Sequence, residues 1–188
     1  MTNKKTSAFS TKRLALNAVM VALYFAMSML AVPMGGLKLT FEHLPIIICA
    51  LVFGPVDAML VGALGEFINQ MFTFGMTPTT VLWMMPAIFR GLSMGLACLL
   101  AKKYMGLDAV LRQKAPIVFL VVCVLSGLIC SFINTLVLLL DSKLYGYYSY
   151  ALVFGVFWIR MGSSAISSVL MVIAAKPVAH ALKKAKLI

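Results

Sequence analysis

The sequence predicts an all-α fold, a bundle of six transmembrane helices with N and C termini cytoplasmic, built as one membrane-embedded domain over residues 1–188. Three observations carry this reading. Hydrophobic residues make up 63% of the chain and charged residues only 11%, against about 25% charged in an average soluble domain; mean hydropathy is +1.04. Apolar stretches of roughly spanning length alternate with breaks rich in glycine, proline and charge. The basic residues fall at alternate breaks. Lys4, Lys5, Lys12 and Arg13, then Lys102, Lys103, Arg112 and Lys114, then Lys176, Lys183, Lys184 and Lys186 share one face of such a bundle, and the other face keeps only Lys38 and Lys143. Cytoplasmic loops carry the lysine and arginine excess, so both termini are placed inside.

The first helix is expected over 14–32, ended by Pro33, Gly35 and Gly36, with a loop over 34–42. It is read as a retained span, because it is about long enough to cross and is not followed by a signal-peptide cleavage pattern. Ala15, Ala18, Ala22 and Ala26 recur at helical spacing and stack on one face. A small-x-x-x-small strip lets two backbones approach in lipid, so Ala15, Ala18 and Ala22 form a docking surface for another helix, either of this chain or of a partner.

Helices two and three are expected over 44–54 and 56–73, split at Gly54-Pro55 because the residue before a proline is pushed out of helical geometry. The second, at about ten residues and roughly 15 Å of rise, is too short to span a hydrocarbon core of about 30 Å. Such a half-length helix implies a cavity or a thinned region. The fourth helix, 79–101, contains Pro86. A polar link over 102–114 precedes the fifth, 116–140, bounded by Asp141. A tyrosine-rich interfacial loop then leads to the sixth, 151–182, which is longer than a simple span.

The ionisable residues inside these spans are Asp57, Glu66, Arg90 and Arg160. A charge at the bilayer centre costs about 2.5–3.5 kcal/mol on insertion scales, so each should meet a partner or a wet cavity. Asp57 lies beside a cytoplasmic turn and is read as structural. Two arrangements fit the rest: a carboxylate pairs with an arginine and holds the bundle, or Arg90 and Arg160 line a pocket and bind an anionic or amide-bearing solute through their planar donors. Glu66, Asn69, Gln70, Thr79, Thr80, Trp83, Asn134 and Trp158 gather at similar depth in the outer halves of the helices, and Lys38 lies in an outward loop. A few polar groups among apolar walls are the composition of a solute pocket; an aromatic belt with ordinary interhelical hydrogen bonds would show the same residues.

Other chemistry is not indicated. Cys49, Cys98, Cys123 and Cys130 are single, with no C-x-x-C pair, so neither disulfide nor metal is expected. His43 and His180 lie at helix ends and read as interfacial or capping. No phosphate-binding loop, G-x-S-x-G elbow or H-E-x-x-H pattern occurs, so no enzymatic activity and no cofactor are expected. The net charge of +11 sits beside apolar segments, where lipid headgroups and topology account for it without nucleic acid.

Leu14-Ala-Leu-Asn-Ala-Val-Met-Val-Ala-Leu23, with Ala18 and Ala22 as an A-x-x-x-A step, resembles the opening helix of the substrate-binding S components of energy-coupling-factor (ECF) vitamin transporters. Leu44-Pro45-Ile46-Ile47, Phe53-Gly54-Pro55 and Gly62-Ala63 are similar to the family's second and third helices, and the likeness covers nearly the whole chain. Asn134-Thr135-Leu136 and Arg160 are most similar to folate-type members, while Gly75-Met-Thr-Pro-Thr-Thr80 departs from them. The resemblance implies a multi-pass cell-membrane subunit that captures a scarce vitamin and docks, through the alanine strip, on a coupling subunit and two ATPases that supply the energy. Two arginines suit a carboxylate-bearing solute such as folate or pantothenate; with one neutralised by Glu66 they suit a neutral nucleobase-like solute such as a queuosine precursor. The rival readings are a membrane assembly protein and a self-contained secondary transporter, though no inverted repeat with paired broken helices is evident.

Overall fold

The computed structural model describes residues 11–30, 32–34, 37–39, 41–105 and 116–184. Among these, six α-helices carry the architecture: α1 (Thr11–Met29), α2 (Leu44–Val52), α3 (Pro55–Phe74), α4 (Thr80–Met105), α5 (Pro116–Leu144) and α6 (Phe157–Lys184). The polar stretch expected over 102–114 lies outside the described residues beyond Met105, as do residues 1–10.

The short helix α2 is the centre of the bundle. Leu44 to Ala50 are all buried, with Ile46, Ile47 and Cys49 wholly so. An apolar surface on every side requires cover on every side. α1, α3, α4 and α6 supply it. Nine residues rise only about 13 Å, so the bundle around one end of α2 has room for a cavity. Gly54, at φ 97°, makes the turn out of α2, and Pro55 opens α3 where its missing N–H costs nothing.

α3 and α4 pack closely because glycine faces backbone on both sides. A Cβ at Gly62 would lie 2.8 Å from the Ala87 carbonyl oxygen, and one at Gly91 2.7 Å from that of Ala58. Small residues at the contact let backbones approach, the commonest device for helix association in lipid. α5 and α6 meet in the same manner, with the Ser164 hydroxyl donating to the Gly127 carbonyl at 2.8 Å.

Several boundaries differ from the sequence expectation, among them the end of α4, which runs on to Met105 into the link expected from residue 102. α1 ends at Met29 rather than near residue 32, since Pro33 drives Val32 to an extended conformation. The loop expected over 34–42 contains a two-stranded antiparallel hairpin, β1 (Val32–Met34) paired with β2 (Leu37–Leu39) in the register Val32↔Leu39 and Met34↔Leu37. α5 runs through Asp141 to Leu144, because the buried Asp141 accepts a hydrogen bond from the Tyr147 hydroxyl and the helix stops only before Gly146, at φ 73°. The sixth helix is preceded by a π-type turn, Ala151–Gly155, and begins at Phe157 after a break at Val156.

Among the described residues, three stretches are long and apolar enough to cross a membrane: Thr80–Ala101, Ile117–Leu144 and Ala151–Ala174. α1 is apolar but shorter. At the α1–α3 end of the bundle, the buried Asp57 takes hydrogen bonds from Arg13 Nε at 3.0 Å and Asn17 Nδ2 at 2.6 Å, and Arg13 also donates to the Phe53 carbonyl at 3.2 Å. Asp57 is thus structural, and its arginine is Arg13 from the first turn of α1.

Candidate functional site

Beside the N-terminal end of α2 lies a cavity of about 860 Å³, lined by α1, α3, α4, α5 and α6 and by Glu42 and His43 just before α2. It falls within the size range of small-molecule pockets, roughly 300–1,000 Å³. Two of its walls differ in chemistry.

The first wall is formed by α1 and α3 and is built on Glu66. This buried carboxylate accepts from the Tyr24 hydroxyl at 2.8 Å and from Asn69 Nδ2 at 3.3 Å on one oxygen, and from Gln70 Nε2 at 2.7 Å on the other. The spacing of Glu66, Asn69 and Gln70 places all three on one side of α3. Ser28, four residues after Tyr24, extends the wall by donating to Asn69 Oδ1 at 3.0 Å. Glu66 is therefore satisfied by neutral donors and pairs with no arginine among the described residues.

The second wall is formed by α4 and α6 and is built on two guanidinium groups. Arg90 is only 2% exposed. Its Nη2 donates to Ser168 Oγ at 3.1 Å, while Nε is buried without a partner. Arg160 donates through Nη2 to the Leu152 carbonyl at 3.3 Å, and its buried Nη1 has no partner. No carboxylate among the described residues is in ion-pair range of either.

The cavity brings together six of the sequence-predicted residues: Glu66, Asn69, Trp83, Arg90, Asn134 and Arg160. Gln70 stands behind Glu66 and orients it. Thr79 and Thr80 do not reach the cavity; the Thr80 hydroxyl accepts from the Thr77 amide at 2.9 Å and the Thr80 amide donates to the Thr77 carbonyl at 3.0 Å, so this threonine cluster caps the start of α4. Trp158 is 79% exposed and packs edge-on against Phe157 at the outer surface. Lys38 sits in β2 opposite Pro33, and its side chain is outside the described residues.

Several lining residues are not among the predicted ones. His43 occupies the N-cap position of α2 but makes no capping hydrogen bond; its ring lies 5.9 Å from that of Tyr24, and Nε2 is 3.8 Å from Cys130 Sγ. Ser131 of α5 and Ser167 of α6 line the cavity as well. The serine pairs at 163–164 and 167–168, one turn apart on an otherwise apolar helix, are the sequence signal that marks this face of α6.

The predicted docking residues lie on the far side of α1. Ala15, Ala18 and Ala22 are exposed, as are Val19 and Ala26, while Tyr24 on the same helix is wholly buried. This chain covers the Tyr24 face and leaves the alanine face open.

A family model described as "ECF-type riboflavin transporter, S component" matches residues 8–184. Among solved structures, one described as "Structure and mechanism of the S component of a bacterial ECF transporter" matches with a TM-score of 0.64 at 17% identity, covering 92% of this chain and 98% of that one. At that identity the likeness shows the fold. Comparison with curated proteins gives no match. S components associate with ECF modules of coupling and ATPase subunits as a property of the family. A match over nearly the entire length, on a helical bundle of the S-component fold enclosing a polar cavity, has one consequence: the chain belongs to the family of ECF-type riboflavin transporter S components, integral membrane subunits that bind the transported substrate.

Proposed function

We propose that this chain captures a water-soluble vitamin in the 860 Å³ cavity and delivers it by docking the exposed alanine face of α1 on a coupling subunit driven by two ATPases. The carrying observation is Arg90, a charge 2% exposed, with an unpartnered Nε, in a cavity wall. A buried charge without a counterion is costly, and it persists where a ligand completes it. A purely structural role would have paired it, as Asp57 is paired with Arg13.

The matching family is the riboflavin type, which makes riboflavin the reference solute; the folate-type likeness of Asn134-Thr135-Leu136 and Arg160 supports folate as the second reading. The six helices lie in the membrane with both termini cytoplasmic, as supported by the basic residues flanking α1, α4 and α6. The cavity then opens outward and α1 presents its alanines within the bilayer. ATP hydrolysis belongs to the partners.

Co-purification tests this reading. Tagged chain is expected to bring down a transmembrane coupling subunit and two ATPases. Recovery of neither, with accumulation of solute by the chain alone on an ion gradient, would replace the S-component reading by a secondary transporter.

A further inference from the structure

Asp141 is a carboxylate in an electrostatically unfavourable place. It stands in the last turn of α5, where the aligned peptide dipoles already put partial negative charge, and it is only 7% exposed. Oδ2 accepts from the Tyr147 hydroxyl. Oδ1 is buried and has no partner, and no basic group among the described residues is in ion-pair range of either oxygen. Lys143, two residues on, is exposed and places its ammonium 5.8 Å from the centre of the Tyr148 ring instead.

The loop that follows α5 folds back on this helix end and brings oxygens to it. The Tyr145 amide donates to the Asp141 carbonyl and the Tyr147 amide to the Ser142 carbonyl, both at 3.0 Å. The Ser142 hydroxyl donates to the Leu139 carbonyl at 3.0 Å. These donors are committed, so none of them turns to Oδ1. The other carboxylates of the bundle show the contrast: Asp57 is met by Arg13 and Asn17, and Glu66 by Tyr24, Asn69 and Gln70. What Asp141 lacks is a positive charge on its second oxygen.

We propose that Asp141 Oδ1 binds a monovalent alkali cation, with carbonyl and phenol oxygens at the end of α5 as its further ligands. Such oxygens suit hard cations rather than soft metals. A single carboxylate balances a single charge, and the enclosure of Oδ1 excludes a bulky organic ammonium. Ser131, Asn134 and Leu138 line the cavity from α5, and Asp141 follows Leu138 by three residues on the same side of the helix. The ion therefore sits one turn beyond the cavity and fastens the loop over 145–150 to the helix that forms a cavity wall.

The test is thermal unfolding of the full-length chain in detergent, in the chlorides of sodium, potassium and N-methylglucamine at one ionic strength. Sodium or potassium should raise the wild-type midpoint by roughly 3–6 °C at about ten times its dissociation constant, with saturation. Asp141→Asn, which keeps the shape and removes the charge, should abolish the difference between salts. Should that variant not fold, tyrosine difference absorbance on wild type decides: addition of the alkali cation should give a saturating signal that is absent in Tyr147→Phe. A wild-type midpoint and absorbance indifferent to the cation, or a cation effect undiminished in Asp141→Asn, would overturn the site and leave Asp141 with a proton or a buried water.

Discussion

The Tyr24 hydroxyl donates to Glu66 Oε2 at 2.8 Å, joining the helix that presents the alanine face to the carboxylate that shapes the cavity. Tyr24 is wholly buried, and a Cβ at Gly65 would come within 2.6 Å of its ring, so the ring is held over α3 by a close approach that only glycine permits. α1 therefore has two working faces. Tyr24 and Ser28 line the cavity, and Ala15, Ala18 and Ala22 point away from it.

Tyr24→Phe removes the shorter of the two hydrogen bonds to Glu66 Oε2 and leaves Asn69 at 3.3 Å as the remaining donor. Under-satisfying a buried polar group costs about 1–3 kcal/mol. Thermal unfolding in detergent should show a lowered midpoint, and the loss should shrink in Tyr24→Phe with Glu66→Gln, where no charge needs the hydroxyl. Equal losses in the single and double variants would separate Tyr24 from Glu66.

Ala18→Trp and Ala22→Trp should abolish uptake by the assembled transporter while leaving solute affinity of the isolated chain nearly unchanged. Both side chains are exposed and neither lines the cavity, and bulk on a small-residue strip blocks backbone approach. A matching loss of solute binding would assign the strip to packing within the chain.

Asp57→Ala removes the carboxylate that accepts from Arg13 and Asn17 while Arg13 keeps its bond to the Phe53 carbonyl; the Arg13 side chain is 31% exposed where that of Asp57 is 6%. The cost should lie between those of exposed and buried pairs, about 1–2 kcal/mol. A double-mutant cycle of Arg13→Ala and Asp57→Ala in chemical unfolding should return a coupling above about 0.5 kcal/mol. Additive losses would show two independent side chains.

The fold and much of the site are legible in the sequence, for physical reasons that differ from residue to residue. Arg90, Arg160 and Glu66 stand out because charge is expensive in a membrane helix and has to face something polar. Trp158 lies at the same depth as Arg160, yet two residues apart on a helix is about 200° of rotation, so the two cannot share a face; Trp158 points outward. Thr79 and Thr80 have the right polarity and depth but are consumed by a local cap, a use that composition does not separate from ligand binding. Tyr24 escapes notice, and His43 reads as interfacial or capping although it makes no capping hydrogen bond and lines the cavity, because nothing in the sequence marks which side turns to the cavity until α2 is known to be the covered centre. The hairpin was available: Gly35-Gly36 between two short apolar runs is a two-residue hairpin signal.

The tyrosine loop after α5 gives a pH prediction. Tyr147 donates to Asp141, and desolvation, then that hydrogen bond, push its phenol up to about 12. The folded state thus favours the protonated phenol: its contribution is fully present below pH 10 or so, the ordinary tyrosine value, and is lost as pH rises through about 12. The difference in tyrosinate absorbance between wild type and Tyr147→Phe should titrate late, and Asp141→Asn should move it down. A titration at the ordinary value in wild type would remove the Tyr147–Asp141 contact.

The central claim is that the solute occupies the cavity between these helices, on a chain that binds it without partners. Asn134 lines the cavity from α5, and Asn134→Trp fills the space without touching the alanine face. Calorimetric titration of solute-free chain with its own released solute should show one site per wild-type chain and none in Asn134→Trp, while both chains still bring down the coupling subunit. Wild-type affinity in Asn134→Trp would contradict the account.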